Sequence, residues 1–333
     1  MILQNTTVLN QQSNQTQLIN IINQKSNPML DSMLQNSSNT SNSTNINQLN
    51  PLEFLKTIFQ SIKDGDSSQN AILEMLKSNY NIKNGINFSE NIKELITLLK
   101  QMQTSNSQNI NTLLTHIKDI EPQILQNSLL NSGIFMESNL LKMALGDPRT
   151  QDITKDTKSI LLQLKNELQT QLSKQAQIEQ SSKNLQTNTT QNLLNQTEKL
   201  IAQIEYFQLL SIYGNGNYFY LPFYWEELVG GTIYTKYEKS KTYCELDLEL
   251  QSYGNIKVMI SLYGKESIDI SFGVKNQEFK SKLQDNLKLL RIALNKAEFN
   301  LMGIQIIDYK EQIKNPYKQS STTNSNNSLG LKV

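Results

Sequence analysis

Residues 244–272 read CELDLELQSYGNIKVMISLYGKESIDISF. Cys244, Leu246, Leu248 and Leu250 alternate with Glu245, Asp247 and Glu249. After Ser252 to Asn255, Ile256, Val258, Ile260 and Leu262 alternate with Lys257, Met259 and Ser261. Gly264 and Lys265 interrupt the pattern, and Ile268, Ile270 and Phe272 resume it. A period of two, broken by turn residues, predicts a three-stranded antiparallel meander with one dry and one wet face. Lys257 is expected among Glu245, Asp247 and Glu249 on the wet face, where each cross-strand pair adds about a few tenths of a kcal/mol. Gly254 is read as a turn residue with positive φ.

Downstream the period becomes helical. Phe279, Leu283, Leu287, Leu290 and Leu294 form one apolar stripe, with Lys282, Asp285, Lys288 and Asn295 opposite. Asn276 is the expected N-cap, and Glu278 suits the first turn. Ile304 and Ile306 then mark a final short strand. Upstream, Tyr218–Phe223 and Gly231–Tyr237 also read as strands. The expected fold is an α+β domain, a small β-sheet whose apolar face is covered by one amphipathic helix.

Residues 51–207 have a helical period. Leu52, Leu55, Phe59 and Ile62 mark one helix; Ile72, Leu73, Met75 and Leu76 mark a second. Ile92, Leu95, Ile96 and Leu99 mark a third, with Ser89 as its N-cap. Pro122 opens a longer helix through Leu125, Leu129, Leu130 and Leu140, stopped by Gly146, Asp147 and Pro148. Leu161, Leu164, Leu168 and Leu172 share a face, as do Leu193, Leu200, Ile204 and Phe207. The stripes are narrow, so loosely associated helices are expected here rather than a large core. In residues 1–50, Asn, Gln, Ser and Thr supply 32 positions, and residues 311–333 are similar in style. Both segments are expected to be disordered. The domain plan is therefore 1–50 disordered, 51–207 loosely helical, 208–310 α+β and 311–333 disordered.

Composition excludes several classes of function. The net charge is +1, and Arg149 and Arg291 are the only arginines, which argues against a nucleic-acid surface. Cys244 is the single cysteine and His116 the single histidine, so no disulfide, zinc site or Ser-His-Asp triad is expected. No cofactor site is expected either. Glu226 and Glu227 read as a solvated edge, His116 as a solvent-facing residue of a polar helix, and Cys244 as a small buried hydrophobe. Tyr218, Phe219, Tyr220, Phe223, Tyr224 and Trp225 read as a buried aromatic cluster. No apolar run is long enough to span a membrane, and the first residues lack the pattern of a cleavable signal peptide. The domain is read as a binding module, not an enzyme.

The runs CELDLELQSYGNIKVMISL, SIDISF and FKSKLQDNLKLLRIALNKAEFNLMGIQII resemble the C-terminal domain of bacterial flagellar hook-length control proteins. Gly254 takes the family's turn glycine, and Ile256 and Val258 take a Val-x-Val pair. Leu287, Leu290, Arg291 and Leu294 take the helix centre, and Leu301, Ile304 and Ile306 the closing strand. Tyr253 replaces a leucine, and Glu298 stands where a glycine often follows the helix. SLLNSGIFMESNLL (128–141) and DTKSILLQL (156–164) are similar to a second block of that family. QLLS (208–211) and LPFYWEELVGGTI (221–233) are similar to the approach to its C-terminal domain.

The resemblance implies control of hook length and a switch in type III export specificity. It implies a cytoplasmic protein whose polar N-terminal region is exported through the flagellar apparatus. Its C-terminal domain would contact the cytoplasmic domain of the export-gate switch protein, with the hook or hook-cap protein as a further partner. Gly254, Ile256 and Val258 are the candidate contact residues; core packing is the competing reading of the two apolar ones. A chain of about 200 residues spans up to ~660 Å extended and ~300 Å helical, which fits a length sensor. The alternative is a secreted or surface-attached structural protein with a terminal binding module.

Overall fold

The computed structural model describes residues 51–64, 68–78, 88–101, 113, 115–146, 152–177 and 184–309. The segments expected to be disordered, 1–50 and 311–333, lie outside the described residues, as do Asp147 and Pro148. In chain order the elements are α1 (Pro51–Asp64), α2 (Gln69–Ser78), α3 (Phe88–Gln101), β1 (Thr115–His116), α4 (Pro122–Leu130), α5 (Met136–Ala144), α6 (Thr157–Gln177) and α7 (Asn184–Tyr213). Then come β2 (Asn217–Tyr220), β3 (Phe223–Tyr224), β4 (Leu228–Glu238), β5 (Lys241–Leu250), β6 (Gly254–Tyr263), β7 (Ser267–Val274), α8 (Gln277–Lys296) and β8 (Asn300–Asp308).

The meander expected from residues 244–272 is present as β5, β6 and β7, inside a larger six-stranded sheet of order β2-β4-β5-β6-β7-β8. All pairs are antiparallel except β7–β8, which α8 joins in parallel. Register follows the apolar alternation. Leu246 stands opposite Val258 and Val258 opposite Phe272, while Leu248 faces Ile256 and Ile256 faces Val274. A slip of one residue would move the whole apolar set to the other face. Asn276 caps α8 as expected, its side chain accepting from the Phe279 amide at 2.9 Å.

Three expectations change. The single helix expected after Pro122 is two, α4 and α5, broken around Gly133, whose φ is +86°. Ser89 does not cap α3, which begins at Phe88; its hydroxyl donates to the Phe223 carbonyl at 2.7 Å and ties α3 to the strand region. The face expected to be wet is covered around its centre, where Tyr234, Tyr243, Glu245 and Ser261 are all buried. Tyrosine rings lying on a sheet shield a face that residue type alone reads as polar.

The helices pack more closely than their narrow stripes suggest. Phe54, Leu55, Ile58, Ile72, Leu76, Ile92, Leu95, Leu99, Leu161, Leu164, Leu168, Leu193 and Leu200 are all buried. They form one continuous apolar cluster with Phe219, Tyr220, Ile233, Leu250, Ile256 and Val274 of the sheet region. The physical reason is α7. Its residues 201–207 are buried all round, so it serves as the axis on which α1, α2, α3 and α6 lay their single stripes. The boundary expected at 207/208 falls inside this helix. α8 sits over β8 and β7 at the opposite end, and its stripe is only half-buried.

Candidate functional site

The sequence-selected residues Gly254, Ile256 and Val258 lie at the start of β6. Gly254 has φ +70°, and an added Cβ there would meet nothing within 4 Å. The glycine is therefore held by backbone conformation rather than by crowding. Ile256 is 2% exposed and belongs to the core; Val258 is half-buried beside it. Ser252, Tyr253, Gly254, Asn255, Lys275, Asn276 and Tyr309 line an open depression around the turn. Tyr253 packs its ring 5.0 Å from Phe279, and its hydroxyl accepts from the Lys282 ammonium at 2.6 Å. The turn is thus locked to the first turns of α8.

A second site joins the sequence blocks 128–141 and 156–164 to α7. Asp156 caps α6, its Oδ1 accepting from the amides of Lys158 at 2.9 Å and Ser159 at 3.1 Å. The Thr157 amide donates to the Asn131 carbonyl at 2.8 Å, bringing the blocks side by side. Lys158 is 1% exposed. Its ammonium donates to Glu137 Oε1 at 2.6 Å and Gln208 Oε1 at 2.8 Å, and lies 3.5 Å from Glu205 Oε1. The Gln208 amide donates in turn to the Gly133 carbonyl at 2.9 Å and to Glu137 Oε2. A Cβ on Gly133 would come within 2.7 Å of Lys158 Cβ, so both φ and space require glycine. Gly133, Glu137, Asp156 and Lys158 of the two blocks are thereby held in one buried network.

The electrostatics of this knot are lopsided, because one cation serves several carboxyls. Burial pulls the Lys158 ammonium down, but Glu137 and Glu205 outweigh it and hold its pKa above the ordinary value. Burial pushes Glu205 up, opposed by Lys158. Burial likewise pushes Asp156 up to about 6, tempered by the Ser159 amide. A carboxyl whose folded pKa exceeds its unfolded one binds more protons folded, so its stabilising contribution is present below about 4 and lost as pH rises through about 6. Asp156→Asn keeps a capping oxygen and removes that charge. Its melting temperature is expected to exceed wild type above pH 6 and to match it near pH 4. A constant difference across pH, measured by thermal melts in matched buffers, would contradict the burial cause.

Sequence reasoning did not find Glu205, and it placed Gln208 only by resemblance. The signal was a carboxylate inside the apolar run LIAQIEYFQLLSIY, where a charge implies a buried partner. The aromatic cluster joins sheet to helices. Tyr220 stacks on Phe88 at 3.7 Å and donates to the Ser132 carbonyl at 2.8 Å, while Phe219 meets Phe135 edge-on at 5.6 Å. Cys244 is half-buried, and burial pushes its thiol up to about 12. His116 is not on a helix. It lies on β1, pairs with β3, and contacts Glu226 Oε1 at 3.0 Å.

Residues 230–314 match the family model described as "Flagellar hook-length control protein FliK". The match runs from Gly230, within β4, through β8, including α8. No curated protein and no solved structure gives a significant match to the chain. No helix among the described residues is long and apolar enough to cross a membrane. The similarity to the flagellar hook-length control family thus lies in residues 230–314.

Proposed function

We propose that the chain sets flagellar hook length and switches type III export from hook-type to filament-type subunits. The observation that carries this reading is the coincidence of the family match with the α8-bearing end of the sheet. In this reading the N-terminal part of the chain is exported and senses length, and the sheet with α8 forms the switch domain. The protein works from the cytoplasm and leaves through the flagellar apparatus. The switch domain engages the cytoplasmic domain of the export-gate switch protein, and the hook or hook-cap protein meets the exported part. Gly254 shapes the contact turn. Ile256 supports it from the core, and Val258 stands beside it. A role in binding, with no catalytic step, is part of this reading.

Electron microscopy of cells carrying an in-frame deletion of the gene tests it. Overlong hooks without filaments are expected. Normal filaments on hooks of controlled length would overturn the reading.

A further inference from the structure

The two edges of the sheet are finished differently. At one edge β2 has four residues and is closed by α7: the Tyr218 amide donates to Ser211 Oγ at 2.8 Å, and the Ser211 hydroxyl lies 3.3 Å from the Tyr218 carbonyl. At the other edge β8 has nine residues and, among the described residues, pairs with β7 alone. Its sequence, NLMGIQIID, has no proline, lysine or arginine. Its one charge, Asp308, is neutralised by Lys280 at 3.0 Å. Met302 is 54% exposed, and Leu301, Ile304, Ile306 and Ile307 are half-buried. Natural sheets blunt such an edge with charges, proline, bulges or a covering loop; β8 has one irregularity, at Met302 between the Ile268 and Asp269 pairings, and beyond it Gly303–Asp308 is a regular apolar edge of the kind that templates strand addition.

α8 sets the chemistry of that edge. Phe279 and Lys282 touch Tyr253 at the head of β6, which fixes the flank of α8 that faces the sheet interior. Arg291 is nine residues beyond Lys282 in the sequence, half a turn round at 3.6 residues per turn, so it lies on the opposite flank, the one that carries Lys280, whose ammonium pairs with Asp308 of β8. Lys288 lies between that flank and solvent. The stretch Leu287–Lys296 contains Lys288, Arg291 and Lys296 and no carboxylate. Among the described residues neither Lys288 nor Arg291 forms an ion pair, whereas Lys280 and Lys282 both do.

We propose that the outer edge of β8 from Gly303 to Asp308, unpaired among the described residues and flanked by Lys288 and Arg291 of α8, accepts an extended segment of the export-gate partner as a seventh strand. That segment would alternate apolar residues, to continue the face of Ile304 and Ile306, with carboxylates opposite Arg291 and Lys288. A second copy of the chain fits less well, because pairing two β8 edges about a dyad brings two cationic flanks together. The inference rests on the switch reading given under Proposed function.

The test is amide hydrogen exchange on the full chain, with and without the purified cytoplasmic domain of the export-gate switch protein. Expected is a slowing of about tenfold or more at alternate amides of Gly303–Asp308 when the partner is added. The double variant Lys288→Glu/Arg291→Glu, both residues being exposed, is expected to keep the wild-type circular dichroism spectrum and to lose about tenfold in affinity. A complex that leaves the β8 amides unchanged, or that tolerates the double variant, overturns this inference alone. Absence of any complex overturns the switch reading and the inference with it. Concentration-dependent dimerisation in sedimentation, with β8 protected in the absence of partner, would assign the edge to a second copy and also overturn it.

Discussion

Replacing Lys158 with alanine is expected to cost about 3–5 kcal/mol of folding stability, the loss typical when a buried ion pair is broken from one side. Lys158 is buried and is the cation shared by Glu137 and Glu205. Removing it leaves the buried Glu205 without the cation beside it and leaves the Gln208 oxygen without its donor. It also vacates the buried volume of the side chain beyond Cβ. Lys158→Met separates these causes, since it fills most of the space and carries no charge. It should remain strongly destabilised alone and recover much of the loss when combined with Glu137→Gln and Glu205→Gln, because neutral groups no longer need a cation. Urea titrations followed by far-UV circular dichroism measure all of these. A loss under about 1 kcal/mol in Lys158→Ala would show that water or a neighbouring cation already serves the carboxyls.

Ile256→Ala should cost about 2–5 kcal/mol, the range for truncating a fully buried isoleucine. The side chain sits between Leu248 and Val274 on the apolar face and has almost no exposure, so little relaxation is available to fill the void. Val258→Ala removes less volume from a half-buried position and should cost about 1–2 kcal/mol. The two variants therefore divide the roles of the candidate residues. If export switching fails in Ile256→Ala and survives in Val258→Ala, the phenotype follows stability. If it fails in Val258→Ala at nearly wild-type stability, Val258 acts through its exposed surface. Denaturation curves and hook lengths measured on the same strains decide between them.

Much of the sheet was legible because its signal is local. Alternation in residues 244–272 sets which side chains share a face, and Gly254 and Gly264 mark the two turns with φ of +70° and +63°. The Asn276 cap and the Leu stripe of α8 are likewise within one or two turns of each other. What was hidden is non-local. Nothing near Lys158 in the sequence names Glu205 or Gln208, and the break at Gly133 arises because Lys158 occupies the space beside it. The helical layer was underestimated for the same reason. Each stripe is narrow when read alone, and only α7, whose residues 201–207 are buried on every side, supplies the common surface. The covered polar face was missed because Tyr218 and Tyr234 rings, 4.6 Å apart, shelter Glu245 in a way that polarity by residue type does not express.

The order of strands in space, β2-β4-β5-β6-β7-β8, is the order of those strands along the chain. This has a mechanical consequence. A pull from the N-terminal side reaches α7 and then β2, and at every later step the strand under load is the outermost one remaining. No strand is drawn from between two neighbours. Antiparallel edges then peel from one end, a hydrogen-bonded pair at a time, instead of shearing along their full length at once. The sheet is therefore weak to traction from that end while its six strands remain cooperative at rest, and the parallel β7–β8 unit with α8 is the last to yield.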